Sequence, residues 1–155
     1  MLRLRHVALL GAFPLATAAF AAGGGGGGGF EGGGSSPEQM AMAHFERGEK
    51  QRKAGIEALV QAQAAADESA REEALELATG KFKRARRAYK DAIRADRKSH
   101  YAWNGLGFCQ RMLGEYDAAL SSYDRALKLE PGFPQAVEYR GEAYLQLGKL
   151  EGIFA

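Results

Sequence analysis

Residues 103–131 read WNGLGFCQRMLGEYDAALSSYDRALKLEP. The stretch describes two helices joined by a tight turn. Gly107, Ala119 and Ala126 are small and let two antiparallel helices approach closely. Trp103, Leu106, Tyr116, Tyr123 and Leu127 are large and fill the space around them. Gly114 suits the turn between the helices, and Pro131 ends the second one. A single hairpin of this kind cannot bury its apolar face alone, so neighbours must stack on it.

Trp103, Leu106, Gly107, Ala119, Tyr123 and Pro131 fall on the spacing W-x2-LG-x2-Y…A-x3-F…P. On these residues the stretch resembles the tetratricopeptide repeat. Gln110 stands where the pattern has an aromatic, and Tyr123 where it has Phe. The resemblance implies an all-α, helix-turn-helix solenoid that presents binding surfaces rather than performing chemistry. Its period is 34 residues. One period forward, Gly107 maps to Gly141, Gly114 to Gly148 and Gln110 to Tyr144, so the missing aromatic reappears. Leu106 maps to Arg140, a departure at a position normally buried. One period back, Gly114 maps to Gly80, Tyr116 to Phe82, Ala119 to Ala85, Tyr123 to Tyr89 and Ala126 to Ala92. We therefore expect a complete repeat over 100–133 and a truncated one over 134–155. The first helix of the latter, about Gln135 to Leu147, should leave an outer face around Tyr144, Leu145 and Leu147 uncovered. Self-association through that helix is a further expectation.

Upstream, Ser36-Pro37-Glu38 is a helix start: a capping hydroxyl, a Pro at the first helical position and an early acid. Met42, Phe45, Ile56, Leu59 and Val60 mark an apolar stripe, weakened by Gly48 and Gly55. Asp67 can cap a second helix. Leu75, Ala78, Phe82, Ala85, Tyr89 and Ala92 step by three and four through Gly80. Acids cluster at the start of this segment (Glu68, Glu72, Glu73, Glu76) and bases at its end (Arg94, Arg97, Lys98), as the helix dipole favours. One helix from about Asp67 to Ala95 satisfies both patterns; a turn at Thr79-Gly80, which the strict period places there, breaks both. Residues 37–99 then form a hairpin with stretched arms. Gly48 and Tyr89 are 41 residues apart, against 16 for Gly107 and Tyr123. From about residue 37 onward the chain resembles small exported bacterial tetratricopeptide proteins with a long, coiled first hairpin.

The first 21 residues have another character. Arg3, Arg5 and His6 precede an apolar run from Val7 to Phe20, and Ala19-Phe20-Ala21 fits a small-x-small cleavage site. This is the layout of a secretory signal peptide. The alternative is a membrane anchor, but about 14 apolar residues fall short of the ~20 that span a bilayer. Export to the periplasm or the cell exterior is expected, with no transmembrane anchor after cleavage. Losing Arg3 and Arg5 takes the formal charge from +2 to 0. Residues 22–36 are nearly all glycine and serine, a flexible tether. They lack the strand and the Gly-Lys-Ser/Thr ending of a phosphate-binding loop.

Two surfaces stand out. Lys81, Lys83, Arg84, Arg86, Arg87 and Lys90 place six cations in ten residues. They form a solvated face, a contact for an anionic envelope surface or, least favoured after export, a nucleic-acid site. The second surface comes from the resemblance, which puts a concave groove on the first helix of each unit. Carried over by register, the groove positions are Tyr101, Asn104, Phe108, Arg111 and Met112, then Glu138, Glu142, Leu145 and Gln146. A mixed aromatic, amide and charged face suits a peptide or helix laid in a groove. The family's carboxylate clamp is not expected, because Gly105 holds the place of its Asn and no matching Lys appears. No cofactor is expected. His44 and His100 are isolated, Ser121 and Ser122 have no nearby His, and no Cys/His cluster fits a metal, so an enzyme is not expected either. The lone Cys109 reads as a small buried thiol.

Overall fold

The computed structural model describes residues 36–148. They form five helices: α1 (Pro37–Ala64), α2 (Glu68–Ala95), α3 (His100–Met112), α4 (Tyr116–Leu129) and α5 (Pro134–Leu147). The described residues contain no strand, and none of their helices is long and apolar enough to cross a membrane. The expected signal peptide, the expected tether up to residue 35 and the part of the expected truncated repeat after Gly148 lie outside the described residues.

The caps are where the sequence puts them. The Gln39 amide donates to Ser36 Oγ at 3.2 Å, and the Ser36 amide donates back to Gln39 Oε1 at 2.9 Å, a complete capping box. Asp67 accepts from the Ala70 amide at 2.9 Å and opens α2. That helix runs unbroken through Gly80, because Ala78, Phe82, Ala85, Tyr89 and Ala92 are all buried along one seam. A turn at Thr79-Gly80 would throw that seam out of phase.

Glycines seat the rings that join the helices. A Cβ on Gly48 would lie 2.7 Å from Tyr89 Cε1, and one on Gly107 would lie 2.6 Å from Tyr123 Cε1. The two pairs are thus the same joint, as the register predicts. Gly55 makes another joint in the extended arm, 2.7 Å from Phe82 Cε1. Gly48 and Gly55 are therefore where α1 packs tightest, not where its stripe fails. Val60, expected in that stripe, is exposed. Tyr89 is shared: a Cβ on Gly105 of α3 would lie 2.5 Å from its Cζ. At 1.5 Å per residue α1 and α2 are each about 42 Å long, and α3 about 20 Å. Roughly half of the first hairpin therefore extends beyond the helix that stacks on it.

Turns and substitutions in the second unit follow local chemistry. Gly114 and Gly132 take positive φ values of 77° and 83°. Gln110, in place of the family aromatic, is buried and accepts a 2.6 Å hydrogen bond from Ser122 Oγ. Arg140, in place of a buried Leu, turns outward to Asp124 at 3.2 Å. The outer face of α5 differs from expectation. Tyr144 and Leu147 pack against the core of Ala119, Tyr123, Ala136 and Ala143. Leu145 and Val137 are the exposed apolar residues of this helix.

Candidate partner-binding surface

The first helices of the three units, α1, α3 and α5, share one register. Aligning Gly48, Gly107 and Gly141 puts Glu49, Phe108 and Glu142 at one level, and Arg52, Arg111 and Leu145 one turn on. The structure joins these levels into a row. The Arg52 guanidinium stands 5.3 Å from the centre of the Phe108 ring. Arg111 stands 5.4 Å from the same ring and 5.4 Å from that of Tyr139 on α5. Phe108 also meets Tyr139 at 5.5 Å and, edge-on, Phe82 at 6.1 Å.

Carboxylates anchor both ends. Arg52 Nη2 lies 2.6 Å from Glu49 Oε2, and Tyr89 donates its hydroxyl to Glu49 Oε1 at 2.5 Å. At the other end Arg111 Nη1 lies 2.7 Å from Glu142 Oε2. Burial, reinforced by the Glu49 charge, pushes the Tyr89 hydroxyl well above its ordinary pKa. Burial raises Tyr123 as well, against the opposing Arg111 guanidinium. Burial works against the charge of Arg52, but the Glu49 carboxylate and its neighbours outweigh it and hold the guanidinium ionised. The charges of the row are paired within it, Arg52 with Glu49 and Arg111 with Glu142, to form a polar floor, while Arg111 keeps two buried N–H groups, Nε and Nη2, without an acceptor. Burial also raises the Cys109 thiol, so the reactive thiolate is disfavoured.

The predicted groove residues divide on this floor. Phe108 is 1% exposed and cannot line an open groove; two guanidinium groups and the Tyr139 ring cover it. Arg111 has a side chain only 10% exposed and belongs to the floor, with Glu142 at its edge. Tyr101 is open to solvent and sits in an aromatic cluster, 4.0 Å from His100, 5.4 Å from Phe133 and 6.4 Å from Phe45. Asn104 and Met112 are half-buried, while Glu138, Leu145 and Gln146 are exposed. Sequence reading missed Arg52, Glu49 and Tyr139. The Gly48 register would have found the first two, since it sets Arg52 in the place of Arg111.

The six clustered cations do not share one face. Lys83, Arg84, Arg87 and Lys90 are exposed, and Lys81 is half-buried. Arg86 turns inward and pairs with Glu115, at the start of α4. Successive helical residues rotate by about 100°, so a run of adjacent cations must divide between solvent and neighbouring helices.

Two overlapping segments, residues 74–132 and 110–152, match a family model described as tetratricopeptide repeat. The match begins inside α2, so α1 lies outside it. No curated protein matches the chain.

Proposed function

Because this chain belongs to the tetratricopeptide repeat family, we propose that it is a non-enzymatic scaffold that binds a peptide or protein along the face of α1, α3 and α5. The observation that carries this reading is the continuous row Arg52–Phe108–Arg111–Tyr139. It ties three helices into one rigid floor, beside which Tyr101, Glu138, Leu145 and Gln146 remain free to touch a ligand. A preorganised floor lowers the ordering cost of binding. The basic start, apolar run and small-x-small site of the first 21 residues support work in the bacterial envelope.

The test is selection of random peptides on the immobilised protein. Selected peptides should bind about tenfold more weakly to Tyr101→Ala/Glu138→Lys, a loss of ~1.4 kcal/mol, and equally well to Lys83→Ala. Peptides that ignore the double variant would sink the reading. A second reading has the basic face touching anionic envelope surfaces. It is favoured by Lys83, Arg84, Arg87 and Lys90, which have no ion pair among the described residues. Such contact weakens steeply with added salt, whereas groove binding does not.

A further inference from the structure

We propose that the outer face of α2 is self-complementary, and that it docks antiparallel on α2 of a second copy of this chain across a two-fold axis at Gly80. Glu73, Glu76, Gly80, Arg84 and Arg87 lie at offsets of −7, −4, 0, +4 and +7 from that glycine. At 3.6 residues per turn these offsets fall within about 40° of one line along the helix. All four charged residues are exposed and Gly80 is half-exposed. A shallow depression runs along this face between Glu73, Glu76, Leu77, Gly80 and Arg84.

The charges on this line have no ion-pair partner among the described residues of one copy. One helical turn from Glu73 and Glu76 lie only acids or uncharged residues. Arg84 has Lys81, Gly80, Arg87 and Ala88 in reach. Arg87 has one acid in reach, Asp91, which pairs with Arg94. Opposite charges three or four apart would have stabilised the helix; here they are eight or more apart and cannot meet. Turning a second helix end for end about Gly80 sets Glu73 against the partner's Arg87 and Glu76 against the partner's Arg84. Symmetry doubles both pairs, as an isologous interface requires.

Gly80 itself points the same way. Gly48, Gly55, Gly105 and Gly107 each receive an aromatic ring, but a Cβ on Gly80 would meet nothing within 4 Å. The equivalent Gly114 is needed for its positive φ, whereas Gly80 is helical and has no such need. Gly141 is also open, but it lies on α5, the last described helix. A glycine at the centre of the line lets two helix backbones approach closely. Leu77, 48% exposed, sits three residues from the axis, on the flank where the methylene stem of the partner's Arg84 can cover it. An anionic polymer or membrane fits this line less well than a second copy does, because Glu73 and Glu76 would repel it.

The test is sedimentation of the full chain over a concentration series at low and at high salt. The wild type should dimerise at low salt and dissociate as salt is added. Arg84→Glu/Arg87→Glu and Glu73→Arg/Glu76→Arg should each be monomeric, and an equimolar mixture of the two should form a heterodimer. Gly80→Gln improves helix propensity, so it should keep the fold and abolish the dimer by filling the axis. Three outcomes would overturn the proposal: a wild type monomeric up to about 1 mM, charge variants that associate as the wild type does, or a mixture that stays monomeric. Association through the exposed face of α5 would leave all these variants dimeric, and binding to anionic vesicles by a strictly monomeric wild type would assign the bases to a surface instead.

Discussion

At the scale of single residues, the same amino acid has opposite consequences according to what faces it. Gly48→Ala drives a methyl into the Tyr89 ring, which has no room to yield because Gly105 holds its other contact. Overpacking of this kind costs about 1–3 kcal/mol. Gly80→Ala meets open space in a helix interior and should stabilise the monomer by up to ~1 kcal/mol. Urea denaturation of the two variants at low concentration checks the pair, and equal shifts in one direction would contradict the packing described. The Gly48–Tyr89 joint was legible in the sequence, since it repeats Gly107–Tyr123 at a longer separation. Phe108 was not. Its register position belongs to a groove, but nothing in the sequence shows that Arg52, 56 residues upstream on α1, lies over its ring.

At the scale of helices, α2 is the element that sequence reading captured best. Two independent signals, the three-four seam and the segregated charge, agree on its continuity, and a turn would have violated both. The direction of the basic run was less legible, because adjacency in sequence says little about a shared face until the buried stripe is fixed. The joint between α1 and α2 also has a polar half. Glu49 holds both Arg52 and the Tyr89 hydroxyl, so Glu49→Ala leaves a buried phenol and a guanidinium without their acceptor. That should cost about 1–3 kcal/mol. Glu49→Gln, which keeps one acceptor oxygen, should lose less; thermal unfolding of the two variants gives the order.

At the scale of the whole molecule, stability should depend on alkaline pH. Burial raises the pKa of Cys109, Tyr89 and Tyr123, so the fold keeps protons that the unfolded chain releases. Their contribution is complete below the unfolded values, about 8.5 for the thiol and ~10 for the phenols. It is lost as pH rises from there toward the native values, at up to ~1.4 kcal/mol per pH unit for each group. Urea midpoints should therefore fall between about pH 8.5 and 11, and the part of the tyrosinate absorbance that belongs to the buried Tyr89 and Tyr123 should appear only with unfolding. A midpoint flat across that range would mean these phenols reach water in the native state.

The position of Cys109 has a consequence for observing this protein at work. Among the described helices, only α3 touches all four of the others, and Cys109 lies on it with no exposed surface. The chain has no second cysteine. A thiol reagent therefore finds nothing to modify until α3 parts from its neighbours, and the modification rate times that parting. Wild-type protein needs no added label to serve as this clock. A ligand that bridges α1, α3 and α5 would slow it in proportion to how much it favours the closed molecule.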